Sequence, residues 1–173
     1  ETENSFNVFT QKETPYLSGI VAGAPSYCSI SPRYKWKETY ERKLFLERFI
    51  NAGIITGNKC ELENVEVKSR FKSGRVNELE ITVVEDENIQ KKYSVFGNNI
   101  RTIIRTSDNK SILFSTNFEI MLDGNQIIIH GKGYGHGVGM CQYGAIGQAH
   151  IGINYLEILN HYFPGTHIKK YYE

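Results

Sequence analysis

Residues 118–140 read FEIMLDGNQIIIHGKGYGHGVGM, and two patterns in them govern the reading of the chain. Phe118, Ile120 and Leu122 stand at every second position, Asp123-Gly124 follows, and Gln126-Ile127-Ile128-Ile129 resumes the apolar run. Period two predicts strands, and Asp-Gly between apolar runs predicts a tight hairpin. The second pattern is glycine at 131, 133, 135, 137 and 139. If the strand runs on, those five share one bare face, and Lys132, Tyr134, His136, Val138 and Met140 share the other. A bare face admits close approach by another backbone or a flat ligand, at an entropic cost for every glycine in a strand. A tightly bent barrel corner is the competing explanation. The spacing is not a dinucleotide fingerprint, because His136 stands where the third glycine belongs, and no Gly-Lys-Ser/Thr makes it a phosphate loop.

Outward from this stretch the periods alternate. Upstream, Val65 and Val67, then Val76, Leu79, Ile81 and Val83, then Tyr93 and Val95 predict further strands, with a turn at Ser73-Gly74 and a stop at Gly97. Between them and the N-terminus, residues 42–51 predict a helix: Phe45/Phe49 and Leu46/Ile50 are i,i+4 pairs, and Gly53 suits its C-terminal end. Residues 98–105 predict one or two helical turns with Asn98 as N-cap. Downstream, Gln142–Ala149 and Asn154–Tyr162 predict helices closed by Pro164-Gly165, and Ile168–Tyr172 a last strand. Residues 1–35 are irregular, an odd start for a domain that points to a natural chain beginning earlier. The order of elements predicts an α+β fold with an antiparallel sheet, open or barrel-like, and a few short helices.

The chain has 173 residues, enough for one domain or two small lobes. Twenty Lys and Arg against 19 Asp and Glu leave a net charge of +1, so nucleic acid is excluded as a partner. A composition 40% hydrophobic and 23% charged fits neither a disordered nor a membrane-embedded chain. No apolar run approaches the roughly 18–20 residues of a transmembrane helix, and the polar N-terminus is no signal peptide. Cys28, Cys60 and Cys141 are too few for a disulfide framework; one pair is open to them, leaving the redox compartment unreadable. Eleven Tyr offer apolar faces with polar tips, which suit sugars as well as an ordinary core.

The candidate site residues follow from the tract. His136 either holds the loop through a backbone group or orients a substrate near neutral pH. His130, His136 and Cys141, spaced by five and four residues, match no standard zinc pattern, so no metal and no cofactor are expected. A Cys141–His136 nucleophilic pair lacks a third, orienting group. Gln142 and Tyr143 open a helix whose free N–H groups suit acyl or carboxylate oxygens, or simple capping. Arg75 lies outside the tract and, taken alone, reads as a surface salt-bridge partner. Glu78 and Glu80 alternate with an apolar face and are expected in solvent, and Asp123 in the turn.

Residues 131–149, GKGYGHGVGMCQYGAIGQA, resemble the hallmark of the stage II sporulation protein D family, bacterial peptidoglycan lytic transglycosylases related to amidase enhancers. Thr14-Pro15-Tyr16-Leu17, Ser31-Pro32-Arg33-Tyr34-Lys35-Trp36, Ser73-Gly74-Arg75-Val76, Ile100-Arg101, residues 113–118 and residues 155–166 extend the likeness over the chain. Cys141 stands where the family usually has Ser, a tolerable change of similar size. The resemblance implies cleavage of the MurNAc-GlcNAc β-1,4 bond of denuded glycan strands to a 1,6-anhydro end during sporulation. Tyr134, His136, Gln142, Tyr143 and Arg75 would then contact the glycan or support the acid. The family's catalytic Glu, in a Glu-Met/Val-Pro segment, has no counterpart in residues 1–173; the chain thus resembles the C-terminal part, with the catalytic acid expected upstream. The implied setting is extracytoplasmic, with a membrane anchor elsewhere in the parent protein. Two alternatives stand beside this reading: a glycan-binding module without catalysis, and an activator of a partner amidase or hydrolase.

Overall fold

A computed structural model describes residues 2–9, 14–20, 26–56, 59–85 and 88–172. It comprises a central unit, Lys35–Gly135, and a second unit formed by the two ends, Glu1–Tyr34, which carries the short helix α1 (Ser5–Phe9), and His136–Glu173. No helix among the described residues is long and apolar enough to cross a membrane.

The central unit holds two three-stranded antiparallel sheets. In one, β6 (Gln126–Lys132) lies between β1 (Lys35–Glu41) and β5 (Phe118–Asp123). In the other, β3 (Val76–Glu85) lies between β2 (Cys60–Arg70) and β4 (Ile89–Phe96). The α+β class is therefore as the periodicity predicts. The barrel-like alternative is not: the strands pair as two separate sheets, neither closed on itself.

Both sheets contribute to one apolar core with α2 (Arg42–Asn51) and α3 (Asn99–Ile104). Leu79, Ile81 and Val83 of β3 are fully buried at every second position. Leu62 and Val65 of β2 are three apart and both buried, which strict alternation forbids. A register shift between Leu62 and Asn64 resolves this, because the extra residue of a bulge returns the next side chain to the same face. The opposite face is charged, with Lys92 on Glu80 at 2.9 Å and Ser94 donating to Glu78 at 2.8 Å. The two glutamates predicted in solvent are thus half-buried and engaged.

Helix α2 forms where its i,i+4 pairs predict. Phe45 and Phe49 are fully buried with ring centroids 5.2 Å apart. Its end is a Schellman motif, with the Gly53 amide donating to Ile50 O and that of Ile54 to Phe49 O. Asn98 precedes α3 without capping it, because its carboxamide oxygen accepts from Arg101 Nη1 at 3.0 Å instead. The end of α3 is held from α2: the Arg48 guanidinium donates to the carbonyls of Ile104, Thr106 and Ser107 and to Asn109 Oδ1. Tyr40 donates to Arg105 O at 2.7 Å, and burial pushes its phenol far above the usual range, so it stays a donor at every physiological pH.

The hairpin turns at Gly124-Asn125, with Asp123 and Gln126 as its last facing pair. The Asn125 carbonyl accepts the Arg42 amide, an N–H that the first turn of α2 leaves unpaired within the helix. The strand does not run on through the glycine tract. It stops at Lys132, where both neighbours begin: β1 at Lys35, facing Lys132, and β5 at Phe118, facing Gly131. Beyond that point Gly133, Gly135, Gly137 and Gly139 have φ between +72° and +105°, so the shared bare face does not exist. Gly131 alone is a strand glycine, and the Trp36 indole lies on it.

That contact yields a prediction. A Cβ at Gly131 would sit 2.0 Å from Trp36 Cζ2, and the strand backbone behind it has nowhere to retreat. Gly131→Ala should cost about 1–3 kcal/mol, the usual range for overpacking. Gly124→Ala, where a Cβ meets nothing within 4 Å, should cost only about 1 kcal/mol of backbone strain. Urea unfolding midpoints of the two variants measure the difference.

Candidate functional site

Each half of the glycine tract is built by its own unit. In the central unit the chain leaves β6 under four hydrogen bonds. Lys132 N donates to Asn117 O (2.8 Å), Ser115 Oγ to Lys132 O (2.6 Å), Trp36 Nε1 to Gly133 O (2.9 Å) and Gly135 N to Phe114 O (2.7 Å). These fix the backbone of residues 132–135 against residues 114–117. Tyr134 is left 67% exposed, its ring 6.1 Å from that of Phe114, which in turn packs edge-on to Trp36 at 5.4 Å. Added Cβ atoms at Gly133 and Gly135 meet nothing within 4 Å among the described residues. Backbone sign, not crowding, therefore requires glycine there.

Arg101 sits behind this surface. It is buried, donates from Nε to Leu113 O at 2.7 Å, and accepts the Leu113 amide on its own carbonyl at 3.0 Å. Burial draws its guanidinium below the usual range, and the Tyr134 hydroxyl is close enough to act on it in the opposite sense. The reading of residue types passed over Arg101 as a site residue. Its signal was a cation inside the apolar turn Ile100-Arg101-Thr102-Ile103-Ile104. Arg75 is also buried, which overturns the surface salt-bridge expectation. Its carbonyl accepts the Phe71 amide and closes the turn between β2 and β3.

The second unit carries the other three predicted residues. His136 is exposed; its Nδ1 accepts the Val138 amide at 3.0 Å, and its ring meets Phe9 edge-on at 5.1 Å. The loop-holding role foreseen for it is thus present. The bond to Nδ1 fixes the tautomer and leaves Nε2 as the donor. Gln142 is exposed and Tyr143 half-buried at the start of α4 (Gln142–His150). Cys141 is the N-cap of α4, its Sγ accepting the Gly144 amide at 3.3 Å. Burial raises the Cys141 thiol above its usual value, the opposite of an activated nucleophile. Among the described residues no three of His, Cys, Asp and Glu are grouped to hold a metal ion.

Helix α4 seats on the 3₁₀ turn Tyr27–Ile30, because Gly147 lets it approach: a Cβ there would lie 2.0 Å from Tyr27 O. Helix α5 (Tyr155–Tyr162) follows, opened by a capping box in which Asn154 Oδ1 accepts from Leu156 and Glu157 while Glu157 returns to the Asn154 amide. Residues 168–172 form no strand; Tyr171 and Tyr172 are exposed with no ladder partner among the described residues. Near the N-terminus the Glu3 amide donates to Gly137 O at 2.7 Å, and the Glu3 side chain is 5% exposed with Oε1 accepting from the Asn4 amide. Glu3 is a buried carboxyl next to the tract, and nothing in the polar run around it announces this. Two other carboxyls move downward in pKa, Glu80 through its bond from Lys92 and Asp108 through Thr106, so both stay ionised and neither suits a proton donor.

An α+β domain with a glycine-rich exit from its hairpin is thus the class of protein this is. The chain belongs to the family described as Domain of unknown function (DUF8618), whose model matches residues 24–139. It is 34% identical over 122 residues to the amidase enhancer of Bacillus subtilis (strain 168), a match covering 69% of this chain and 16% of that protein. It is 31% identical over 170 residues to an uncharacterized protein of Brachyspira hyodysenteriae (strain ATCC 49526 / WA1), covering 98% of this chain and 40% of that one. It is 45% identical over 58 residues to the stage II sporulation protein D of Bacillus amyloliquefaciens, covering 34% and 17%. The chain is thus related to amidase enhancers and stage II sporulation protein D, and the matches span well under half of these relatives.

The seat of α4 can be tested directly. Gly147→Ala pushes a Cβ into a backbone carbonyl and should lower stability by about 2 kcal/mol or more, against about 1 kcal/mol for Gly133→Ala, which strains backbone alone. Cys141→Ala should cost about 1 kcal/mol of cap energy that Cys141→Ser retains. Thermal unfolding of the four variants gives the ranking.

Proposed function

We propose that this chain is the glycan-engaging part of a peptidoglycan lytic transglycosylase that acts on denuded strands in sporulation-linked wall remodelling. The observation that carries the reading is the surface at Tyr134: an exposed phenol ring on a backbone held by Trp36 and Phe114. A sugar ring stacks on the apolar face of such a phenol and bonds to its hydroxyl. The similarity to stage II sporulation protein D supports the sporulation-linked setting. The second unit, taken by itself, offers the polar groups of His136, Gln142 and Tyr143 to the same class of polymer.

The reaction needs one carboxyl group. As an acid it protonates the glycosidic oxygen; as a base it then takes the proton of the muramyl 6-hydroxyl, whose oxygen closes on the anomeric carbon. No water is consumed, unlike the paired-carboxylate glycosidases. That carboxyl belongs, in this reading, to a part of the whole protein beyond these 173 residues. The whole protein then acts outside the cytoplasmic membrane, held by an anchor of its own. The second reading is activation of a partner wall amidase, favoured by the similarity to the amidase enhancer.

The test is a strand assay with this chain. Stem-peptide-free glycan strands should be retained by the chain, with no 1,6-anhydro-muramyl ends detected by mass spectrometry. Tyr134→Ala should weaken retention about tenfold, the worth of one aromatic contact of about 1.4 kcal/mol. Anhydro ends made by this chain would put the acid inside it, and Glu3→Gln would then be the first variant to abolish them. Strands that pass unretained, with a wall amidase stimulated, would replace the first reading by the second.

A further inference from the structure

The cavity of the second unit is lined by two thiols, Cys28 and Cys141, together with His161 and Tyr162. Cys28 lies on the 3₁₀ turn Tyr27–Ile30 and Cys141 caps α4, and these are the two elements that Gly147 brings into backbone contact. Both thiols line this one cavity. Ser26 Oγ stands 3.0 Å from Cys28 Sγ, and the Gly144 amide points at Cys141 Sγ from 3.3 Å. Both cysteines are half-buried, open enough for a reagent to enter and enclosed enough to hold the sulfurs in place. Cys60, the remaining cysteine, belongs to the central unit, at the start of β2. A metal site is the weaker reading of the same cavity, because no grouping of three ligands exists among the described residues.

We propose that Cys28 and Cys141 are a reversible redox pair whose intramolecular disulfide locks the start of α4 onto the 27–30 turn. The oxidant is a disulfide of a small thiol or of a thiol oxidoreductase. The Cys28 thiolate attacks one of its sulfurs, forming a mixed disulfide and releasing the first thiol. Cys141 then loses its proton and attacks Cys28 Sγ, expelling the second thiol. Two protein thiols are oxidised, one external disulfide is reduced to two thiols, and atoms and electrons balance. The burial that raises the Cys141 thiol makes it the second to react, once Cys28 is already bound. The Ser26 hydroxyl is placed to donate to the first thiolate. The lock acts where it matters for this unit, because Gln142 and Tyr143 directly follow the bridged cap. It also closes a loop of more than a hundred residues, and such a link restricts the unfolded chain strongly.

The experiment uses the 173-residue chain equilibrated with glutathione disulfide, then denatured, alkylated with iodoacetamide and measured by intact mass and peptide mapping. The reduced chain should take three alkyl groups and the oxidised chain one, on Cys60, with a Cys28–Cys141 linked peptide that dithiothreitol removes. The oxidised chain should also melt several degrees above Cys28→Ser treated identically. Three alkylatable thiols after oxidation, a link that includes Cys60, or stable glutathione adducts on Cys28 and Cys141 without a link would each overturn the proposal. Cys60→Ser should behave as the parent chain in both measurements, and Cys141→Ser, which keeps the cap, should stop at the mixed disulfide on Cys28. An unchanged melting temperature with the link present would overturn the lock.

Discussion

The central unit depends on the Trp36 indole lying flat against a glycine. Trp36 and Gly131 face one another across β1 and β6, the ring fills the space a Cβ would take, and its Nε1 reaches on to the Gly133 carbonyl. One side chain thereby does two things at the end of the ladder. It buries a large apolar surface over bare backbone, and it catches the first peptide beyond the last strand pair. Phe114 against the far side of the ring, and the Phe114 carbonyl on the Gly135 amide, extend that hold by two residues. Tyr134 is exposed because the residues on either side of it are fixed in this way. An aromatic ring on an unconstrained loop would fold down onto the nearest apolar surface.

The glycines divide into two physical kinds. Gly131 and Gly147 are glycines because a neighbour occupies the space of their side chain, Trp36 in one case and the Tyr27 carbonyl in the other. Gly133 and Gly135 have free space around them and are glycines because the chain passes through left-handed backbone there. The first kind brings elements together, and the second lets the chain turn away from the strand. A regular spacing of two hides this division, since a strand with one bare face and a loop of alternating handedness read alike in sequence.

Two arginines organise the connections between elements. Arg48 gathers carbonyls at the end of α3, and the buried Arg101 bridges α3 to Leu113. An arginine satisfies several carbonyls at once through its fixed fork of donors, which suits chain reversals with many unpaired acceptors. Neither role is visible in local sequence. The Arg48 partners lie more than fifty residues away, and the Leu113 partner of Arg101 lies twelve residues on.

Sequence by itself determined the elements whose cause is local. The pairs Phe45/Phe49 and Leu46/Ile50 dictate α2, Gly53 its end, and the alternation on either side of Gly124 the hairpin. Each rests on forces acting within four or five residues, so a window of that size contains the answer. Tertiary structure alone decided where the β6 ladder stops, because that depends on where β1 and β5 begin. It likewise decided that Asn98 serves Arg101 rather than a helix cap, that Leu62 and Val65 share a face through a bulge, that Arg75 and Glu3 are buried, and that Cys28 and Cys141 line one cavity. In every one of these the deciding atom belongs to a residue distant along the chain or to a partner strand whose register no local pattern encodes.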